Sequence, residues 1–383
     1  MYLKKRSILL KSLPDKILFR NGYADEFYPF PILHFKTEIN KFLDIQHVLV
    51  KALKQVVAHY FVDVDIQKRV PLSKKIRKHL KKLSSIEYTI GGIRPDYIYS
   101  KSGKPMICEI NARFVFNGLY MSIYMDQAFG KLFPNYQRLP DLGKLYDRLR
   151  TEFKSKEIAV LKDREDGYDI HSFLFEHPKA KLFDIKSIES ILKRYQTIIL
   201  ELHQDEVEKH LKGICDAIQA GKEVINDPRT LFIVHDKRLL SVLSNEKIMK
   251  RYLSKKDARL LKNHVIPTYV KGSDDRIFSF ARNKKARFVA KKAISGKADG
   301  LYIGKEKEKD EWIRILKRPD TLLQKYVEQR TFIFYDPLKR TSNKWYLAGV
   351  LPIWKDEVFG PGLYRVSHIK KHDFARFLQP MIA

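Results

Sequence analysis

Over the first 85 or so residues the apolar positions recur three and four apart, most clearly in TEINKFLDIQHVLVKALKQVVAHYF, and this spacing predicts one long amphipathic helix. In the next stretch, PLSKKIRKHLKKL, residues Leu72, Ile76, Leu80 and Leu83 line one face while the other positions are nearly all basic. Residues 86 to 125 switch to period two with turn chemistry, the pattern of a β-hairpin. From about 155 to 225 the pattern alternates: EIAVLKD as strand, YDIHSFLFEHP as helix, KLFDI and TIILELH as strands, DEVEKHLKGICDAIQAG as a long helix. That alternation predicts a small parallel sheet of Rossmann type, and it lacks the GxGxxG turn of a dinucleotide site. The remainder mixes short helices with RFVAKKAI, LYIGKE, TLLQKYVE, RTFIFYD and WYLAGVLPIW, which read as antiparallel strands. The fold class expected is α/β (α+β) in four segments: 1–85 helical, 86–154 with the hairpin, 155–225 Rossmann-like, and 226–383.

Composition narrows the class. At 383 residues with 44% apolar content the chain is long enough for two or three lobes with ample core. Its 23 Phe and 20 Tyr are spread along its length, which excludes long disordered tracts. Cys108 and Cys215 lie apart without metal-ligand or CxxC neighbours, as buried thiols of a reducing compartment do. The N-terminal MYLKKRSILLKSLPDKILF lacks a signal-peptide core, and no run approaches the roughly 18 apolar residues of a membrane span. A cytoplasmic location without membrane contact is the expectation.

The formal charge of +29 attracts polyanions without selecting one. Eight of the fifteen residues from Lys68 to Lys82 are Lys or Arg. Such a helix either tracks phosphates or forms an ordinary solvated face, and no aromatic side chains are interleaved to stack on bases.

Within this basic chain, RPDYIYSKSGKPMICEIN sets two acids around a turn signal. A two-residue turn at Ser102-Gly103 pairs Asp96 with Glu109 and Arg94 with Asn111, all four on one face because strand side chains alternate. Like charges opposite one another destabilise a sheet, and nearby carboxylates force a proton onto one of them unless a cation intervenes. Asp, Glu and Asn oxygens are the hard ligands Mg²⁺ prefers, and Arg94 would meet the phosphate or carboxylate such an ion carries. The alternative is a solvent-facing hairpin whose acids are neutralised by Arg94 and nearby lysines.

Phosphate-binding parts follow downstream. NDPRTLFIVHDKRLLSVL places Lys237 at the start of a predicted helix. ARFVAKKAISGKADGLYIG runs strand, loop, strand, with Lys291 at the end of the first strand and Gly296 and Gly300 in a loop able to fold over phosphates. TLLQKYVEQ is a strand whose Lys325 and Val327 backbone groups can meet an adenine edge, with Gln324 and Glu328 as polar neighbours.

The ordered set RPD with EIN, then DK, FVAKK with its glycines, and LLQKYVE resembles the ATP-grasp superfamily in its circularly permuted, glutathionylspermidine synthase-like branch. The motifs span about 94 to 328. The resemblance implies an ATP-grasp fold with 86–154 supplying the metal and substrate strands, 155–225 a pre-ATP-grasp subdomain and 226–383 the nucleotide-binding subdomains. It implies that Asp96, Glu109 and Asn111 hold Mg²⁺ between ATP phosphates and that Arg94 stabilises the transferring phosphoryl group. Lys237 and Lys291 would bind phosphate, the 296–300 loop would cover it, Gln324 to Glu328 would form the adenine hinge, and Arg365 of FGPGLYRVS would meet the substrate carboxylate. Where the family has Lys-Pro this chain has Lys291-Lys292, so either lysine is a candidate.

The activity implied is ATP-dependent carboxylate–amine (or thiol) ligation through an acyl phosphate. The high positive charge favours an acidic peptide, a nucleotide-linked substrate or tRNA over a polyamine. The rival readings are a basic nucleic-acid-binding protein and a degenerate ATP-grasp scaffold that binds nucleotide without turnover.

Overall fold

The computed structural model describes residues 2–14, 27–165, 167, 169–294, 300–336, 341–367 and 376–383. The long amphipathic pattern forms the helix Lys36–His59, which buries Ile39, Phe42, Ile45, Leu49, Leu53 and Val56 along one stripe. Burial, at about 2 kcal/mol for each such side chain, holds a helix of this kind more firmly than propensity does. It packs beneath the strand Gly92–Tyr99, with the Phe42 and Tyr97 rings 4.9 Å apart and Gln46 Nε2 donating to the Pro352 carbonyl at 2.8 Å. The N-terminal region is not purely helical: Ile32–His34 forms a parallel pair with Pro380–Ile382. A strand of three residues shows no periodicity, and its partner lies at the other end of the chain.

The helix Lys74–Lys81 starts on a Ser73 cap, whose Oγ accepts from Ile76 N–H at 3.2 Å. It buries Ile76 and Leu80 in the core shared with the helix Gln204–Gln219. Lys74, Lys75, Arg77, Lys78, Lys81 and Lys82 face solvent, the arrangement of a solvated basic face.

Three sheets position the candidate site. Gly92–Tyr99 pairs with Pro105–Asn111 on one edge and with Thr341–Val350 and Ile353–Trp354 on the other, inside an eight-stranded sheet. A four-stranded antiparallel sheet runs Leu301–Ile303, Phe288–Lys292, Thr321–Lys325, Thr268–Val270. It is backed by the helices Asp275–Asn283 and Lys309–Lys317, joined by Trp312 Nε1 donating to the Ala281 carbonyl at 2.9 Å. The third sheet runs Ala180–Asp184, Ile158–Lys162, Thr197–Glu201, Glu223–Ile225, all parallel.

Within the segment 226–383, Thr268–Val270, Phe288–Lys292, Leu301–Ile303 and Thr321–Lys325 build the antiparallel sheet, whereas Thr331–Asp336, Thr341–Val350, Tyr364–Ser367 and Arg376–Leu378 join the sheet of the hairpin. The pairing of Val350 with Asp96 joins positions far apart in the chain, and local patterning carries no information about it.

Candidate active site

The hairpin reaches its register by two offsets that cancel. Gly103 N–H donates to the Ser100 carbonyl at 2.7 Å and Ser100 N–H to the Lys104 carbonyl at 2.9 Å. The loop is therefore Lys101-Ser102-Gly103, one residue longer than expected, and Gly103 at φ +80° takes the left-handed position that glycine favours. Tyr99 consequently pairs with Pro105. Farther along, a bulge leaves Cys108 without an opposite residue and restores the register, so that Asp96 faces Glu109 and Arg94 faces Asn111.

The alternative of a solvent-facing hairpin does not hold, since Asp96 is 1% exposed. Arg94 grips it with Nε on Oδ1 at 2.8 Å and Nη2 on Oδ2 at 3.1 Å. Arg365, from the strand Tyr364–Ser367, adds Nη2 on Oδ2 at 2.6 Å. Glu109 is half-buried and accepts from Asn111 Nδ2 at 3.3 Å. Burial would raise its pKa, but the charges of Lys237, Lys291 and Arg365 outweigh that and hold it down to about 2. The two acids tolerate each other because cations surround them.

Lys237 opens the short turn Lys237–Leu239, and its N–H donates to the Ala293 carbonyl beyond the lysine strand at 3.2 Å. Burial lowers the pKa of its ammonium, and Glu109 opposes the shift. Lys291 is 8% exposed and donates through Nζ to the Cys108 carbonyl at 3.3 Å. Alternation on Phe288–Lys292 therefore sends Lys291, not Lys292, to the hairpin. Gly300 closes the loop base by accepting Lys292 N–H at 3.1 Å. Gly296 lies outside the described residues.

Gln324 is turned inward, with Nε2 donating to the Cys108 carbonyl at 3.1 Å and to Thr268 Oγ1 at 3.2 Å. Its amide is a brace in this arrangement rather than a free neighbour for a base. Lys325 is exposed and donates its N–H to the Pro267 carbonyl at 2.9 Å. Glu328 accepts Lys101 N–H on its carbonyl at 2.7 Å and meets Lys101 Nζ at 3.4 Å. Half-buried Val327 lies between these ties.

Sequence reasoning missed the Cys108 carbonyl, which the bulge turns to the lysine strand so that Lys291 and Gln324 share it. It also missed two histidines that brace the hairpin. His264 Nδ1 donates to the Pro105 carbonyl at 2.8 Å, and His235 Nδ1 lies 3.2 Å from both the Ile110 carbonyl and Ala112 N. Burial pulls both down to about 4, so both are neutral at pH 7. Neither carries a sequence signal, because each bonds to backbone.

Among the described residues no group of three or more His, Cys, Asp or Glu is arranged to hold a metal ion. The hairpin donors are of another kind, two carboxylates and an amide. Both Asp96 oxygens are engaged by arginines. Glu109 and Asn111 are the hard-oxygen donors that suit Mg²⁺. No helix among the described residues is long and apolar enough to cross a membrane.

A family model described as the AnkG N-terminal domain matches residues 45–181, a stretch that contains the whole hairpin and part of the N-terminal region. Over 385 residues, 81% of this chain and 78% of the relative, the chain is 23% identical to a protein of Aspergillus thermomutatus named ATP-grasp enzyme ankG. The solved structure of a glutathione synthetase-like effector from Globodera pallida, in apoform, is similar in fold, with a TM-score of 0.57 over 93% of this chain and 90% of that one at 11% identity. Two lysines from separate elements converge on an acid-bearing hairpin, and the chain has an ATP-grasp type of fold, similar in sequence to an ATP-grasp enzyme and in architecture to a glutathione synthetase-like protein.

Proposed function

We propose that the protein is an ATP-dependent ligase of the circularly permuted branch, joining a small-molecule or peptide carboxylate to an amine (or thiol) through an acyl phosphate. One observation supports this above the rest: ionised Glu109 faces Asp96 inside a ring formed by Arg94, Arg365, Lys237 and Lys291. Four cations meet the two hairpin carboxylates, with Asp169 and Asp236 farther out on Arg94 and Lys237, in a partly desolvated site where electrostatic interactions are stronger than in water. A nucleotide triphosphate is the anion such a cluster of cations suits.

The residues divide the work. Lys237 and Lys291 neutralise phosphate oxygens, and Asp96 holds both guanidinium groups in fixed directions so that they meet the transferring phosphoryl group and the substrate carboxylate. A bound Mg²⁺ would supply further charge neutralisation on the phosphate oxygens, held by Glu109 and Asn111, with Asp96 joining where an arginine releases it. A substrate carboxylate oxygen attacks the γ-phosphorus in line, and ADP leaves. The amine nitrogen then attacks the acyl carbon, phosphate departs, and the nitrogen loses a proton to leave the amide. Val327 and the Lys325 carbonyl meet the adenine edge and Glu328 the ribose.

The test is ADP release with Mg²⁺ across a pool of acids and amines, for wild type and Glu109→Ala. The variant should lose at least about 100-fold in turnover. Retained turnover in Glu109→Ala refutes the site. Nucleotide binding without turnover across the pool marks a scaffold, and salt-dependent RNA binding indifferent to ATP marks the nucleic-acid reading.

A further inference from the structure

Arg113 lies two residues beyond Asn111, where the chain leaves the hairpin and crosses to the parallel sheet. It stands over the carboxyl ends of Ile158–Lys162 and Thr197–Glu201. Connections from these neighbouring strands diverge to opposite sides, since Ala180–Asp184 lies beyond the first and Glu223–Ile225 beyond the second. The crevice at such a switch point is where open α/β sheets take ligands. Glu201, with no exposure, fastens the crossing chain there by accepting Val115 N–H at 2.8 Å and Gly167 N–H at 3.1 Å.

The Arg113 side chain is oriented on two sides. Its guanidinium carbon lies 4.3 Å over the Phe114 ring. Its Nη1 donates to His203 Nδ1 at 2.9 Å. A guanidinium only donates, so that nitrogen is bare; neutral His203 carries its proton on Nε2 and donates to Glu165 Oε2 at 3.1 Å. The fork edge differs. Nε is buried and has no hydrogen-bond partner, and Nη2 makes only a long ion pair with Glu165 Oε2 at 3.9 Å, too long for a hydrogen bond, with Glu206 and Glu201 also facing the guanidinium. In Arg94 the same Nε and Nη2 edge is filled by Asp96. Arg113 is also near enough to Lys237 and His235 to lower the pKa of each, so this edge borders the proposed phosphate site.

We infer that Arg113 is the recognition residue for a second carboxylate on the acid substrate, so that the substrate class is a dicarboxylate or an acidic amino acid, with His203 and Glu165 as positioning residues. The inference rests on the ligase reading for the identity of the ligand and on the unsatisfied Nε, beside an Nη2 held only by a long ion pair that a substrate carboxylate would replace, for its chemistry. Planar bidentate capture of a carboxylate is what this edge provides. One carboxylate would be activated at Arg94 and Arg365 while the other is held at the switch point.

Calorimetric titration of the full chain, with and without Mg²⁺ and ATP, tests it using succinate against butyrate, glutarate against valerate, and L-glutamate against L-norvaline. At least one diacid should bind ten- to a hundredfold more tightly than its matched monoacid. Arg113→Gln should abolish that preference both with and without Mg²⁺–ATP. Arg113→Lys, which keeps the charge and loses the fork, should retain only part of it, and it carries the test if the glutamine variant fails to fold. Equal affinity for diacids and monoacids overturns the assignment, as does a preference that survives in Arg113→Gln. Failure of wild type to bind Mg²⁺–ATP sinks the ligase reading separately, because the arm without nucleotide still reports on the fork.

Discussion

The two faces of the hairpin sheet carry buried polar networks of opposite kinds on the same strands. One face presents Arg94, Asp96, Glu109 and Arg365, met by Lys237 and Lys291. On the other, Tyr97 donates to Tyr364 Oη at 2.6 Å, Tyr99 Oη lies 2.9 Å from it, and Tyr364 Oη is 3.0 Å from His34 Nε2. Neighbouring residues divide between them: Asp96 and Tyr97, Arg365 and Tyr364. The tyrosine face is neutral and satisfied within the fold. The charged face gathers cations from four separate elements around two carboxylates. Strand alternation therefore lets one sheet hold a neutral core on one side and a cluster of ionised groups on the other.

The comparison breaks most sharply at Asp96. Asp96→Asn leaves two partly buried guanidinium groups without their counter-ion and should cost about 3–5 kcal/mol in urea unfolding. Equal stability of variant and wild type would mean that the face is not electrostatically organised.

A pH series separates the faces next. His235 and His264 have folded pKa values below that of free histidine, so their contribution is present above about 6.5 and is lost as pH falls toward about 4. Each should remove about 2–3 kcal/mol over that window. Glu109 adds a further acid loss as pH falls from the ordinary carboxylate range toward about 2. The tyrosine face has the opposite sign. Burial pushes Tyr99 up to about 12, and raises Tyr97 and Tyr364 well above the ordinary tyrosine value too. Stability they confer is full below about 10 and declines above it. Unfolding midpoints from pH 4 to 11 should show both limbs, and a flat acid limb would contradict the buried histidines.

Gly349→Ala should follow at about 2 kcal/mol. A Cβ there would come within 2.3 Å of Tyr97 Cζ and 2.6 Å of Tyr364 Cε1. Catalytic turnover per folded molecule should change little if the faces are independent. The smallest effect belongs to Tyr97→Phe, which removes one hydroxyl donor and should cost about 1 kcal/mol.

Local pattern revealed the long helix, the basic helix with its Ile76 and Leu80 stripe, the parallel sheet and the hairpin, because each writes its period into a continuous stretch. It also named the hairpin acids, conspicuous in a basic chain, and the two lysines, while Arg365 came only from the resemblance to the ATP-grasp superfamily. The turn was misread by one residue. The register survived only because the Cys108 bulge compensates, and no composition rule signals a bulge at Cys108. Arg113, His203 and Glu165 went unnoticed for a related reason: they sit on three separate segments, and only the carboxyl-end rule for parallel sheets would have drawn attention to them.

Residue order alone determined which elements form and which face of each is apolar, since those depend on neighbours a few positions away. Tertiary structure decided which charges meet. The contacts of Arg365 with Asp96, of Lys291 with the Cys108 carbonyl and of Arg113 with His203 close across long stretches of chain. Their energies depend on burial and direction, which exist only once the sheets have assembled.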